Sequence, residues 1–243
     1  MKFMPKRIFG VMLFVGFVGI WGFWFHHHVA DIFRLLLPDR MMKRTVGDVL
    51  AEIGNDAKGR FLPWFEKAQI SYPPPHLTLL GFKAEKRLEV WVEKKANWIF
   101  LWSYPILAAS GIAGPKLREG DRQVPEGIYH LNVLNPNSRY HLSMQINYPN
   151  AFDRRKAVLE QRTNLGGEIF IHGKAVSIGC LAIGDNAIEE LFVLVATIGM
   201  DKVTVVIAPQ QDMQLVDLNM PVRSWVPELY ADIQQALVPF PHP

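Results

Sequence analysis

The stretch IFIHGKAVSIGCLAIGD, residues 169–185, carries the only cysteine of a 243-residue chain, Cys180, a short loop's length after His172. Its first half, with Glu168 before it, reads EIFIHG, an apolar and partly β-branched run that predicts a buried strand. Gly173 and Gly179 permit tight backbone on either side of KAVSI, so a hairpin-like excursion would return Cys180 to His172. That pairing matters because thiolate is the nucleophilic form of cysteine, and a neighbouring imidazole that accepts the thiol proton generates it near neutral pH. Backbone amides of the Ser177–Cys180 turn are expected to face an oxyanion, with Gly179 clearing side-chain bulk from the approach. The bland alternative is that Cys180 is a small buried hydrophobe. Zinc is disfavoured, since no second cysteine or suitably spaced histidine completes a ligand set.

Working outward, a 27.7 kDa chain that is 49% hydrophobic can fill one good core. Its 26 basic and 23 acidic residues nearly balance, and no basic stripe is interleaved with aromatics, so nucleic acid is not an expected partner. At the start, Lys2, Lys6 and Arg7 precede the uncharged run IFGVMLFVGFVGIWGFWF, residues 8–25. The run ends in Trp24, Phe25 and three histidines, with no small-x-small site beside it, which favours an uncleaved membrane anchor over a cleaved signal. Positive charge on the short N-terminal side predicts a cytoplasmic tip and an exported remainder, inner-membrane anchored with its catalytic part in the periplasm. In an oxidising compartment an unpaired thiol is a liability, so its presence asks for a reason.

The residues IHG followed by S-x-G-C resemble the active-site signature of the YkuD-type L,D-transpeptidase catalytic domain, in the shorter spacing of its YafK-like branch. Two further stretches of that branch have counterparts in order, GPKLREGDRQVPEGIY at 114–129 and INYPNAFD at 146–153. The resemblance runs from about Thr45 into the C-terminal region and is strongest from Leu88 to Leu194. It implies a β-rich fold, mainly β with peripheral helices, and a cysteine acyl-enzyme formed on peptidoglycan stem peptides at a bond that follows diaminopimelate, with no cofactor. Carried over residue by residue, Cys180 matches the nucleophile, His172 the base, Ser177 the small hydroxyl residue and Gly179 its glycine. There are departures. Ile178 replaces a histidine, the insertion before Ser177 shrinks to Gly173–Val176, and Leu181 and Ala182 stand where an arginine is often found. Carboxylate recognition is thereby left unassigned.

The remaining pattern agrees with such a fold. Thr45-x-x-Asp48 predicts a helix cap, with Val46, Val49, Leu50 and Ile53 on one face; Gly54 and Gly59 predict a break, and a second short helix over Phe61–Gln69. Tyr72-Pro-Pro-Pro75 is a stiff connector. HLTLLGFK, RLEVWVEK and WIFLWSYP read as strands, IYHLNVL and YHLSMQI as a hairpin-like pair, VTVVIA as another strand, and Val124–Gly127 as a type I turn. Asn186 and Glu189 suggest a cap for a helix with Ile188, Leu191, Phe192 and Val195 inward, and Trp225–Leu237 a closing helix. Lys116, Arg118 and Arg122 read as solvated loop charges, with steering of acidic peptides and a groove-flanking Tyr148 as the alternative. The expected organisation is an anchor over 1–28, a helical and Pro-rich lead-in over 29–75, and a catalytic domain over 76–243. Transfer to an amine, which would cross-link the wall or attach a protein, hydrolysis, and a non-catalytic wall-binding module all stay open.

Overall fold

The computed structural model describes residues 43–216 and 223–241. The apolar run 8–25 lies outside them, and among the described residues no helix is long and apolar enough to cross a membrane. Arg44–Pro243 form one compact unit. It opens with α1, Val46–Lys67, whose Thr45 and Asp48 cap each other's backbone as the sequence predicts. The predicted break does not occur: α1 runs on through Gly54 and Gly59. Ala57, Phe61 and Phe65 continue the buried row that Val49 begins, and both phenylalanines pack against Trp102 at ring-centroid distances of 6.2 and 6.1 Å. Burying two aromatic side chains outweighs a glycine cost of about 1 kcal/mol each.

The strands are β1 Leu77–Phe82, β2 Arg87–Lys94, β3 Asn97–Pro105, β4 Gly127–Asn135, β5 Ser143–Ile146, β6 Phe170–His172, β7 Leu181–Ala182 and β8 Val203–Ala208. They form one mostly antiparallel sheet in the order β3-β2-β1-β8-β4-β5-β6-β7, in which β1–β8 and β6–β7 are the parallel pairs. All six residues of β1 are buried because its two faces feed different cores. Leu77 and Leu79 join the core shared with α1 and with α3, Asp185–Ile198; Leu80 and Phe82 join the one covered by α4, Val226–Leu237. The mainly β architecture with peripheral helices is thus the one the sequence predicts.

Several local readings change. Val124–Glu126 run extended into β4 instead of turning, because Glu126 is fully buried in an ionic contact with Lys83. A helix not foreseen, α2, covers Ala151–Leu159 under an Asn150–Asp153 capping box. Helix α3 begins at Asp185 after Gly184, with no side-chain cap, although Ile188, Leu191, Phe192 and Val195 are buried as expected. Of the two residues read as its cap, Asn186 lies inside the helix and Glu189 binds Arg60 and His141.

Candidate active site

His172 ends β6, and the loop 173–180 brings the chain back to pair β7 alongside it, with Ile171 opposite Leu181 and His172 opposite Ala182. The return is parallel, which a hairpin cannot give, so the excursion is a crossover loop and not the predicted hairpin. Its geometry rests on two glycines. A side chain at Gly173 would come within 2.6 Å of both Asp185 Oδ1 and the Tyr140 carbonyl, and Gly179 sits at φ +96°, which L side chains rarely adopt. Lys174 ties the start of the loop down, its amide donating to Asp185 Oδ1 at 2.8 Å and its ammonium to Oδ2 at 2.9 Å.

Ser177 wraps the cysteine: its hydroxyl accepts the Cys180 N–H at 2.9 Å and donates to the Cys180 carbonyl at 2.6 Å. The Gly179 N–H donates to Ser110 Oγ at 2.6 Å. Two of the turn's amides, those of Gly179 and Cys180, are therefore engaged by hydroxyls, so a substrate oxygen that uses them has to displace those hydroxyls. Cys180 is half-buried, and its thiol points to the Glu168 carbonyl at 3.8 Å. Burial raises the thiol pKa, partly opposed by the Phe170 backbone and the charge of Lys116.

His172 is buried, and its Nδ1 lies 2.6 Å from the Gly173 carbonyl. That acceptor requires a proton on Nδ1, which leaves Nε2 as the basic nitrogen of a neutral ring. Burial lowers the His172 pKa despite the carbonyl, so the ring is neutral at pH 7. Tyr140 stacks on it at 4.5 Å and 29°. Cys180 thus ends the loop just before β7, two residues ahead of the Ala182 that pairs with His172, and the resting thiol makes no hydrogen bond to the imidazole among the described residues. The pair is an uncharged thiol and an uncharged imidazole.

Beside the nucleophile turn opens a cleft of 710 Å³, whose wall includes Ile178, Glu168, Lys116, Arg122 and Arg154. Lys116 is not solvated surface: it is buried, bonded to Asp121 at 2.6 Å and to the Arg118 carbonyl. Tyr148 is buried too, its hydroxyl donating to backbone carbonyls, and Arg118 lines a separate pocket. Sequence reading missed Tyr140, Ser110 and Arg154, which lie outside the signature and carry no spacing signal of their own, and it read Glu168 only as the edge of a strand. Among the described residues, no group of three or more His, Cys, Asp or Glu side chains is placed to hold a metal.

The model of the YkuD L,D-transpeptidase catalytic domain matches residues 81–207, more than half of the chain. YafK of Escherichia coli strain K12, itself provisionally assigned as an L,D-transpeptidase, is 36% identical over 159 residues, a match spanning 63% of this chain and 60% of YafK. Among solved structures, the helical cell shape determining protein Pgp2 from Campylobacter jejuni aligns with a TM-score of 0.47 at 24% identity, covering 58% of this chain and 50% of that one. Mycobacterium tuberculosis L,D-transpeptidase 1 aligns at 0.33 and 13%, over 55% and 62%. The matched region runs from the end of β1 into β8, the candidate pair included, and the chain belongs to the YkuD family of L,D-transpeptidase catalytic domains.

Proposed function

We propose that this chain is a cysteine acyltransferase that acts on peptidoglycan stem peptides, with Cys180 as nucleophile and His172 as base. One observation carries the reading: the crossover loop sets the chain's only thiol at the start of the strand that pairs with that of a buried, neutral imidazole, next to a charged cleft. Rotation about the Cys180 side chain turns Sγ from the Glu168 carbonyl toward Nε2. Nε2 takes the thiol proton as sulfur attacks the donor carbonyl, forming the C–S bond and an oxyanion. Collapse breaks the C–N bond, and the imidazolium returns its proton to the departing amine, leaving a thioester. An acceptor amine then re-forms an amide, as in cross-linking or attachment of a protein, whereas water releases a carboxylic acid. Ser177 shapes the turn through both of its hydrogen bonds to Cys180, and Gly179 supplies its left-handed corner. The run 8–25, flanked by Lys2, Lys6 and Arg7, anchors the chain in the inner membrane with this domain on the periplasmic side.

Incubation of the protein with muropeptides, followed by mass spectrometry of products and protein, tests the chemistry. A donor-derived adduct on Cys180 is expected, absent in Cys180→Ala and His172→Ala, and the product masses identify amine or water as acceptor. Unchanged turnover in Cys180→Ala would end the reading. Retention in the membrane fraction at high salt, with the N-terminus at or near Met1, tests the anchor.

A further inference from the structure

The loop from Lys116 to Gln123 is folded around one carboxylate. Asp121 Oδ2 accepts the N–H groups of Leu117 and Arg118 at 2.8 and 3.0 Å, while Oδ1 accepts the Gln123 N–H at 3.0 Å and the Lys116 ammonium at 2.6 Å. This collar holds Arg122 in the left-handed region, φ +56°, a conformation that persists in a non-glycine residue only where its surroundings impose it. It also presses the Arg122–Gln123 backbone against the nucleophile turn: a Cβ on Gly179 would lie 3.5 Å from the Gln123 carbonyl oxygen and 4.0 Å from the Arg122 carbonyl carbon.

The Arg122 side chain, so presented, is exposed on the cleft wall and forms no hydrogen bond or ion pair with a described residue. Arg154, also on that wall, donates to the Pro149 carbonyl and pairs with no described carboxylate. Glu119 and Glu168 line the same cleft, and their carboxylates make no ion pair among the described residues. Lys116 is already neutralised by Asp121. Two guanidinium groups without carboxylate partners and two carboxylates without cations therefore share one cleft next to the thiol. A guanidinium matches a carboxylate through two parallel hydrogen bonds, which an ammonium or an amide cannot copy.

Resting on the acyl-transfer reading above, we propose that Arg122 is the specificity-determining residue of the donor site. It binds a donor carboxylate within one residue of the scissile bond, aided by Arg154, and so holds the carbonyl over Cys180; Glu119 and Glu168 complement a donor ammonium. Two carboxylates on a stem peptide meet that description, that of the residue leaving with the amine and that on the diamino-acid side chain.

The test uses three tetrapeptide donors: the parent, one amidated at the terminal carboxyl, and one amidated at the diamino-acid side-chain carboxyl. Binding is measured on Cys180→Ala and on Cys180→Ala with Arg122→Gln, and acylation on the chains that retain Cys180. One of the amidated donors should bind about 10–100-fold more weakly than the parent, as expected for loss of a charge-assisted pair, and acylate correspondingly more slowly. Arg122→Gln, which keeps a long side chain at the same backbone geometry, should weaken the parent by a similar factor and erase the preference, and Arg122→Lys should restore part of it. The donor whose penalty disappears identifies the carboxylate. Equal discrimination by both chains, or none by the native one, overturns the assignment. Failure of every donor to acylate native Cys180 refutes the acyl-transfer reading instead, and the binding arm still shows whether Arg122 recognises a carboxylate.

Discussion

Cys180 and His172 are both held in their uncharged forms by burial, the thiol pKa raised and the imidazole pKa lowered. A preformed thiolate–imidazolium pair would require the opposite shifts, so activation belongs to the moment of attack. Alkylation of the free protein by iodoacetamide should then follow the thiolate fraction, staying below about 3% of its limiting rate at pH 7 and climbing until the pH exceeds the ordinary thiol value of about 8.5. His172→Ala should change that profile little while abolishing acyl transfer, and Cys180→Ala should leave the melting temperature nearly unchanged. A labelling rate already at its plateau by pH 7 would contradict the neutral pair. At this scale the placement was legible: Ser177, Gly179 and Cys180 share the loop that follows His172, as read. The state of the pair was not, because the Glu168 carbonyl, the Gly173 carbonyl and Tyr140 reach it only through the fold.

Asp153 shows how an element's end can carry a pH response. It caps α2, its carboxylate accepting the Asn150 N–H at 2.9 Å, yet it is buried, and burial lifts its pKa from an ordinary 3.8 to about 6 against the pull of that hydrogen bond. The folded state thus holds this proton more tightly than the unfolded chain. Its contribution favours folding most below about pH 4 and is lost as pH rises through about 6, a swing of about 3 kcal/mol at 1.36 kcal/mol per pH unit. Asp153→Asn keeps the cap acceptor and removes the charge, so it should raise the melting temperature at pH 7.5 and flatten the slope between pH 4.5 and 6.5. An unaltered slope would place the titration elsewhere. The Asn-x-x-Asp spacing that begins α2 was available in the sequence, but the short helix behind it has a weak apolar face, with only Asp153, Lys156 and Ala157 buried. Conversely, the glycines of α1 suggested a break that Phe61 and Phe65, packing against a distant Trp102, prevent.

Across the whole molecule, one buried ion pair ties together four segments. Lys83, just after β1, donates to Glu126 at 2.9 Å and to the carbonyls of Gly114 and Val124, each at 3.0 Å. Glu126, just before β4, also accepts the Gly114 N–H and the Tyr230 hydroxyl of α4, both at 2.8 Å. Burial lowers the Lys83 pKa, and Glu126 opposes the shift. Lys83→Met should destabilise the protein by about 3–5 kcal/mol in urea unfolding, because it strands a buried carboxylate, and adding Glu126→Gln should recover part of the loss. A cost below about 1 kcal/mol would show that Glu126 finds another partner or a proton. No motif announced this knot; Lys83 read as the end of a strand and Glu126 as a turn residue, and they meet because β1 and β4 flank β8.

The two outer strands of the sheet are also joined. Leaving β3, the chain reaches β7 at the opposite end, where Ala108 bridges Ala182 and the Leu107 N–H donates to the Ala182 carbonyl at 2.8 Å. That bridge gives the molecule a folding order. The β1–β3 meander closes through short turns, while the bridge and the parallel β1–β8 pair join stretches more than seventy residues apart, the slow contacts of a chain that must first give up loop entropy. The strand that follows Cys180 is therefore sealed late. In refolding from urea, tryptophan burial around Trp102 should recover before Cys180 becomes competent for acylation, leaving a transient population that is compact yet inactive. Simultaneous recovery of both signals would show that the sheet closes in one step.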